Sequence, residues 1–194
     1  MGKLSRTEKK IRRTLIEMIE EMPINAIKVK DLVSRAHIGR STFYIYYDSV
    51  YAVLQQIADE FIDGFAPKIL LDDRYLYEPC PVLVKNANFL KQNLDMLHAF
   101  LGPHGDSAFQ ARMTAIIREN FKAVTKGSPQ SGIHYRMAQE FFVGGQQNMI
   151  RFWISHCADM SAEEMAILTY RFFAKIYLYV LNSHPLNEVV PRQQ

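Results

Sequence analysis

Lys28–Ser49, KVKDLVSRAHIGRSTFYIYYDS, is the stretch on which the reading of this chain turns. Val29, Leu32, Val33 and Ala36 fall at i, i+3, i+4 and i+7, the spacing of one buried helical stripe. That helix has room for only about eight or nine residues before His37-Ile38-Gly39 turns the chain. A second helix starts at Gly39 or Arg40, with Gly39 as its N-cap and with Ile38 and Phe43 turned inward. Two short helices joined by so short a turn make a helix–turn–helix, which lays its second helix in a DNA major groove. The stretch therefore predicts DNA binding.

The residues before it complete a three-helix unit. Starting from Thr7, Ile11, Leu15, Met18, Ile19 and Met22 recur at helical spacing as one apolar stripe, and Lys9, Lys10, Arg12 and Arg13 are expected on the exposed face. Pro23 ends this helix, because the residue before a proline is pushed out of the α region. Ile24 and Ile27 are expected to enter the same small core. Residues 1–47 carry ten Lys and Arg against five Asp and Glu, whereas residues 48–194 carry thirteen against fifteen. Basic charge concentrated beside the helix–turn–helix fits a polyanion contact. A solvated basic face would explain the charge equally well.

The motif resembles the TetR family of transcriptional regulators over roughly residues 7–55. The resemblance rests on Val29-Lys30-Asp31-Leu32-Val33, Ala36-His37-Ile38, Thr42-Phe43-Tyr44, Tyr47, Ser49 and Leu54. It implies that Lys30, Arg40, Ser41, Thr42, Tyr44 and Tyr46 face DNA. Arg40 is the strongest base reader, since its planar fork can bond guanine O6 and N7 together, worth about 1–3 kcal/mol of discrimination. Ser41, at the helix start, can meet a base or a phosphate, while Lys30, Thr42 and Tyr44 suit phosphate oxygens and set register. Core packing is the competing reading for Tyr44 and Tyr46. Tyr47 takes the family's buried aromatic position. Two residues depart from the pattern. His37 stands where Gly is usual, a site that needs positive φ, which His tolerates at some cost in strain. Val50 stands where a phosphate-pairing Lys is usual, which removes one backbone contact and predicts a shallower salt dependence.

Beyond Ser49, a plausible N-cap, a long helix runs through Val50, Val53, Leu54, Ile57, Phe61 and Phe65 to about Pro67. Residues 72–81 read as a loop from their Pro and Asp content. Helices follow at Val82–Asn93, Leu94–Leu101 and Ser107–Lys126, the last with Phe109, Met113, Ile116, Ile117 and Phe121 inside. Gly102–Gly105 is a break, and GSPQSG (127–132) is a second loop. Two long apolar helices, about 133–156 and 161–181, close the chain, the second opened by a Ser161/Glu164 capping box. No stretch reads as strand. The expected fold is all-α: a three-helix DNA-binding domain over residues 1–48, then a bundle of about six helices over 49–194 for ligand binding and dimerisation.

The last two helices are unusually aromatic, and Tyr170, Phe172, Phe173, Tyr177 and Tyr179 run nearly all round the final one. Gly144-Gly145 in mid-helix costs about 1 kcal/mol per Gly relative to Ala, which close helix approach would explain. The family resemblance implies a homodimer built on these two helices. Met96–Met113 and the later Phe141–Gly145 and Ile150–Trp153 segments also resemble a Firmicutes-type ligand-domain subgroup. A small-molecule effector would sit among the mid-chain helices. Phe61, Phe65, Leu97, Phe100, Met113, Phe121 and Phe141 are its candidate contacts, with plain core as the competing role.

Composition limits the other classes. The chain has 194 residues, 48% hydrophobic and 22% charged, enough for a sizeable core. Cys80 and Cys157 have no metal or redox spacing. The basic N-terminus lacks the apolar segment of a signal peptide, and the longest apolar run, near Phe172–Leu181, is interrupted by Lys175. A soluble cytoplasmic protein with no membrane contact is expected. His98, His104 and Asp106 straddle a Gly-Pro break and match no metal site, His156-Cys157 reads as a helix end, and no nucleophile elbow, phosphate loop or dinucleotide fingerprint occurs. No enzyme, metal or cofactor is expected. The sequence thus points to a homodimeric repressor that binds a palindromic double-stranded DNA operator and is released by a small molecule. The alternative is a TetR-like protein acting mainly through a partner protein; His37 and Val50 favour it, and Arg40, Thr42 and Tyr44 count against it.

Overall fold

Ser5 opens the first helix with a reciprocal cap. Its hydroxyl accepts the Glu8 N–H at 3.1 Å, and the Glu8 carboxylate accepts the Ser5 N–H at 2.8 Å. Helix α1 then runs Arg6–Glu21, and Pro23 leads into a single 3₁₀ turn at Ile24–Ala26. In this computed structural model residues 4–65, 77–125, 132–156 and 159–181 are described. Pro67, residues 72–76, Lys126, residues 127–131 and Cys157 lie outside them, as do the side chains of Tyr177 and Tyr179. Every regular element among the described residues is helical, as the sequence predicts: α2 (Val29–Arg35), α3 (Arg40–Tyr46), α4 (Val50–Gly64), α5 (Pro81–Lys91), α6 (Leu94–Leu101), α7 (Ser107–Val124), α8 (Gly132–His156) and α9 (Ala162–Leu181).

The chain divides into two compact units. The first comprises residues up to 65 together with 89–113. Here α1 packs against α2, α4 and α6. The stripe read from sequence is its core: Ile11 and Leu15 are fully buried, with Met18, Ile19, Leu32, Phe43, Val53 and Leu97 beside them. Ile27 is buried with them, while Ile24 is only half-buried. Burying such side chains contributes about 1.5–3 kcal/mol each. One expectation fails. Arg12 is not on the exposed face but buried, because its guanidinium finds a carboxylate on α4 and a tyrosine hydroxyl at the end of α3. Ser49 caps α4 by accepting the Ala52 N–H at 3.1 Å, and Asp106 opens α7 by accepting the Phe109 N–H at 2.7 Å.

The second unit holds the described residues of 66–88 and 114–194. Its core joins Cys80, Leu83, Ile117, Phe121, Tyr135, Phe142, Tyr170 and Phe173. Phe142 stacks edge-on against Phe173 at 4.1 Å and meets Phe121 at 5.2 Å. The Ser161/Glu164 box forms as expected, with bonds of 2.8 and 3.0 Å. At the Gly144-Gly145 pair, a Cβ at either position would meet nothing within 4 Å among the described residues.

Candidate nucleic-acid interface

The turn between α2 and α3 is built by backbone bonds. Ile38 N–H reaches back to the Val33 carbonyl at 3.0 Å and His37 N–H to the Ser34 carbonyl at 3.1 Å. That pair of bonds is a Schellman cap, whose C′ residue must be left-handed. His37 occupies it with φ of 48°, the positive φ expected of the site in the absence of Gly. Gly39 then stands extended as the N-cap of α3.

Helix α3 is only seven residues long, and its faces separate cleanly. Phe43 is fully buried and Tyr47 is 4% exposed, the two rings 6.0 Å apart. Arg40, Ser41, Tyr44 and Tyr46 are exposed and Thr42 is half-buried. The positions 40, 41, 44 and 45 share the outward face, and the structure adds Ile45, three-quarters exposed, to it. Ile45 lies four residues after Ser41, and that spacing was the available signal for it. The Arg40 guanidinium lies over the Tyr44 ring at 5.7 Å, with Nη2 donating to the Tyr44 hydroxyl at 3.4 Å. The ring gives the planar fork a surface to lie on while leaving it in solvent. Lys30 is exposed in the first turn of α2, whereas Arg35 is occupied by Glu21 through bonds of 2.5 and 2.6 Å. Val50 is buried at the start of α4, adding to the core.

What holds this face is a network the sequence did not disclose. Arg12 Nε donates to the Tyr47 hydroxyl at 2.9 Å, and its two terminal nitrogens donate to Glu60 at 2.6 and 2.8 Å. The end of α3 is thereby tied to α1 and α4. The paired guanidinium holds the Glu60 carboxyl below the usual range, against the opposing effect of burial.

A family model for a transcriptional regulator C-terminal region of the TetR type matches residues 78–175, half of the chain. The chain belongs to the TetR family of transcriptional regulators. Its fold is shared by a TetR transcriptional regulator from Streptococcus agalactiae 2603V, 20% identical over 88% of this chain and 93% of that one, with a TM-score of 0.58. The same holds for DhaS, a dihydroxyacetone kinase operon activator, 18% identical over 89% and 97%, with a TM-score of 0.54. No curated protein matches the chain.

As a TetR-family regulator the chain is a DNA-binding protein, and its candidate effector contacts can be placed. In the first unit Phe61, Leu97, Phe100 and Met113 are buried and Phe65 is half-buried. Phe61 meets Phe65, Phe89 and Phe109 at 6.0, 4.9 and 5.5 Å, a cluster of rings rather than isolated side chains. In the second unit Phe121 is buried and Phe141 is 73% exposed. Phe141 lines an open apolar recess of about 370 Å³ with Gly145, Met149 and Phe172. Among the described residues no three His, Cys, Asp or Glu side chains group as for a metal ion, and no helix is long and apolar enough to cross a membrane.

Proposed function

We propose that this regulator is a homodimeric repressor that reads a palindromic operator and is released by a small-molecule ligand. The outward row Arg40, Ser41 and Tyr44 over buried Phe43 carries the reading, for it presents a base-reading fork on a helix of fixed orientation. Residues 1–48 form the reading head and residues 49–194 the body, in a cytoplasmic protein. Lys30, Thr42 and Tyr46 serve the phosphates beside that row. Dimerisation through α8 and α9 is supported by a line of exposed apolar side chains: Ile133, Met137 and Phe141 at spacings of four, then Phe152, with Phe172 on α9. A monomer would leave that line in water. The vacant space over Gly144 and Gly145 lies between Phe141 and Phe152 on the same helix, where a partner helix can approach. The effector is assigned to the ring cluster of the first unit, around Phe61, Phe65 and Phe100 with Leu97 and Met113. It releases DNA by binding the non-reading state better.

Selection of duplexes from a random pool by the full-length protein tests this reading. A palindrome with half-sites about 10 base pairs apart is expected. Arg40→Ala should flatten preference at one position by about 1–3 kcal/mol. Binding without a palindrome, or an Arg40→Ala protein with unchanged preference, would overturn it. DhaS, which shares the fold, is named an activator. Deletion of the gene separates the two signs, since a repressor's loss raises target transcription.

A further inference from the structure

We propose that the first two turns of α1 form a second, sequence-independent contact with DNA, a phosphate clamp beside the reading helix. Arg6, Lys9, Lys10 and Arg13 fall at i, i+3, i+4 and i+7, so four cations share one face of α1. Arg6, Lys9 and Arg13 are exposed and Lys10 is half-buried, while Ile11, Leu15 and Met18 take the opposite, buried face. The stripe opens onto a groove of about 500 Å³ lined by these four residues, Thr7 and Ile38. Ile38 is the residue that immediately precedes Gly39 and Arg40. The cationic groove therefore abuts the entry to the base-reading helix.

Among the described residues the lining holds four cations and no carboxylate. Arg13 does approach Glu17 at 3.5 Å, but both groups are largely in solvent, so the pair yields readily to a stronger anion. Acid returns at Glu17, Glu20 and Glu21, which limits the positive stripe to the N-terminal half of α1. From Arg6 to Arg13 the helix spans about 10 Å. A DNA strand offers one phosphate per roughly 3.4 Å of axis, so two or three phosphates fit along it. Cations arranged in this way hold backbone and carry no base information. With α3 in the major groove, this face would take the flanking strand, adding affinity that is strongly salt-dependent.

This site rests on the helix–turn–helix reading, and the test separates the two. Fluorescence anisotropy measures binding of the full-length protein to its selected operator and to a scrambled duplex of equal length, from about 50 to 200 mM salt. Arg6→Gln/Lys10→Gln/Arg13→Gln should weaken both duplexes alike. It should also make the slope of log affinity against log salt shallower by about 0.9 for each phosphate no longer neutralised. The charge-preserving Arg6→Lys/Lys10→Arg/Arg13→Lys protein should keep the wild-type slope. An unchanged slope in the Gln variant overturns the clamp, as does weakening confined to the operator or a shallow slope in the charge-preserving variant. Arg40→Ala in the same series should instead lower the operator-to-scrambled ratio by about 5- to 150-fold with little change in slope. If it leaves the ratio intact, base reading by α3 fails while the clamp is still judged on the scrambled duplex.

Discussion

Removing either end of the Arg12–Glu60 pair should have unequal consequences, because the two ends differ in their access to water. The Arg12 side chain is 9% exposed and that of Glu60 is 23% exposed. A charge-assisted hydrogen bond contributes about 1.5–3 kcal/mol net, and stranding one partner of a fully buried pair costs about 3–5 kcal/mol. Glu60→Gln leaves a dry guanidinium with an amide oxygen in place of a carboxylate, and partial hydration of the site brings the expected cost to about 2–3 kcal/mol. Arg12→Met refills part of the volume with apolar chain and lets Glu60 turn to water. Its main cost is the buried Tyr47 hydroxyl losing its donor, about 1–2 kcal/mol. For a chain of this size each kcal/mol moves Tm by roughly 2–4 °C, so Glu60→Gln should melt roughly 4–12 °C lower and Arg12→Met less. Urea denaturation followed by circular dichroism gives the free energies. Equal costs for the two variants, or costs below about 0.5 kcal/mol for both, would show that the pair is not desolvated as argued. The pH dependence supplies a second check. The Arg12 hydrogen bonds depress the Glu60 carboxyl in the folded state, so its stabilisation is complete above the unfolded value, about 4.3, and is lost as pH falls through the lower folded value. The gap between wild type and Glu60→Gln should therefore be flat at neutral pH and close in acid. A gap that widens in acid refutes the assignment.

Other perturbations probe the turn, the break before α7 and the α8 surface. His37→Gly should raise stability by about 0.5–1 kcal/mol by relieving the left-handed φ of 48°, and His37→Val should lower it, both read by urea midpoints. Gly105→Ala should be severely destabilising, since a Cβ there would overlap the Phe100 carbonyl, and thermal melts should show a large drop. Gly144→Ala and Gly145→Ala meet open space in the single chain and should strengthen α8 by up to about 1 kcal/mol each. If a partner copy packs over them, sedimentation will nevertheless show a weaker dimer, and unchanged association would place the interface elsewhere.

The features legible in the sequence were those set by neighbours along the chain. Helical periodicity located α1 to α9 within a few residues, and the Ser161/Glu164 and Ser49 caps could be named because a cap is a matter of three residues. The need for positive φ at His37 was also local, since it follows from two backbone bonds that close the turn. Arg12 was misread for the opposite reason. Periodicity gives a charged residue no cause to be inside, and its carboxylate partner lies 48 positions away. Most of the outward face of α3 is readable from sequence, and exposed Ile45 extends it four residues after Ser41.

The sequence by itself determined a helical protein with a helix–turn–helix, because spacing, caps and turn chemistry act over one or two helical turns. Tertiary structure decided what no local rule could: that Arg12 is buried to tie α3 to α1 and α4, and that four cations of α1 open onto the groove beside Ile38. Each depends on which side chains arrive at one place from distant parts of the chain. Long-range packing, rather than local propensity, fixes that arrival.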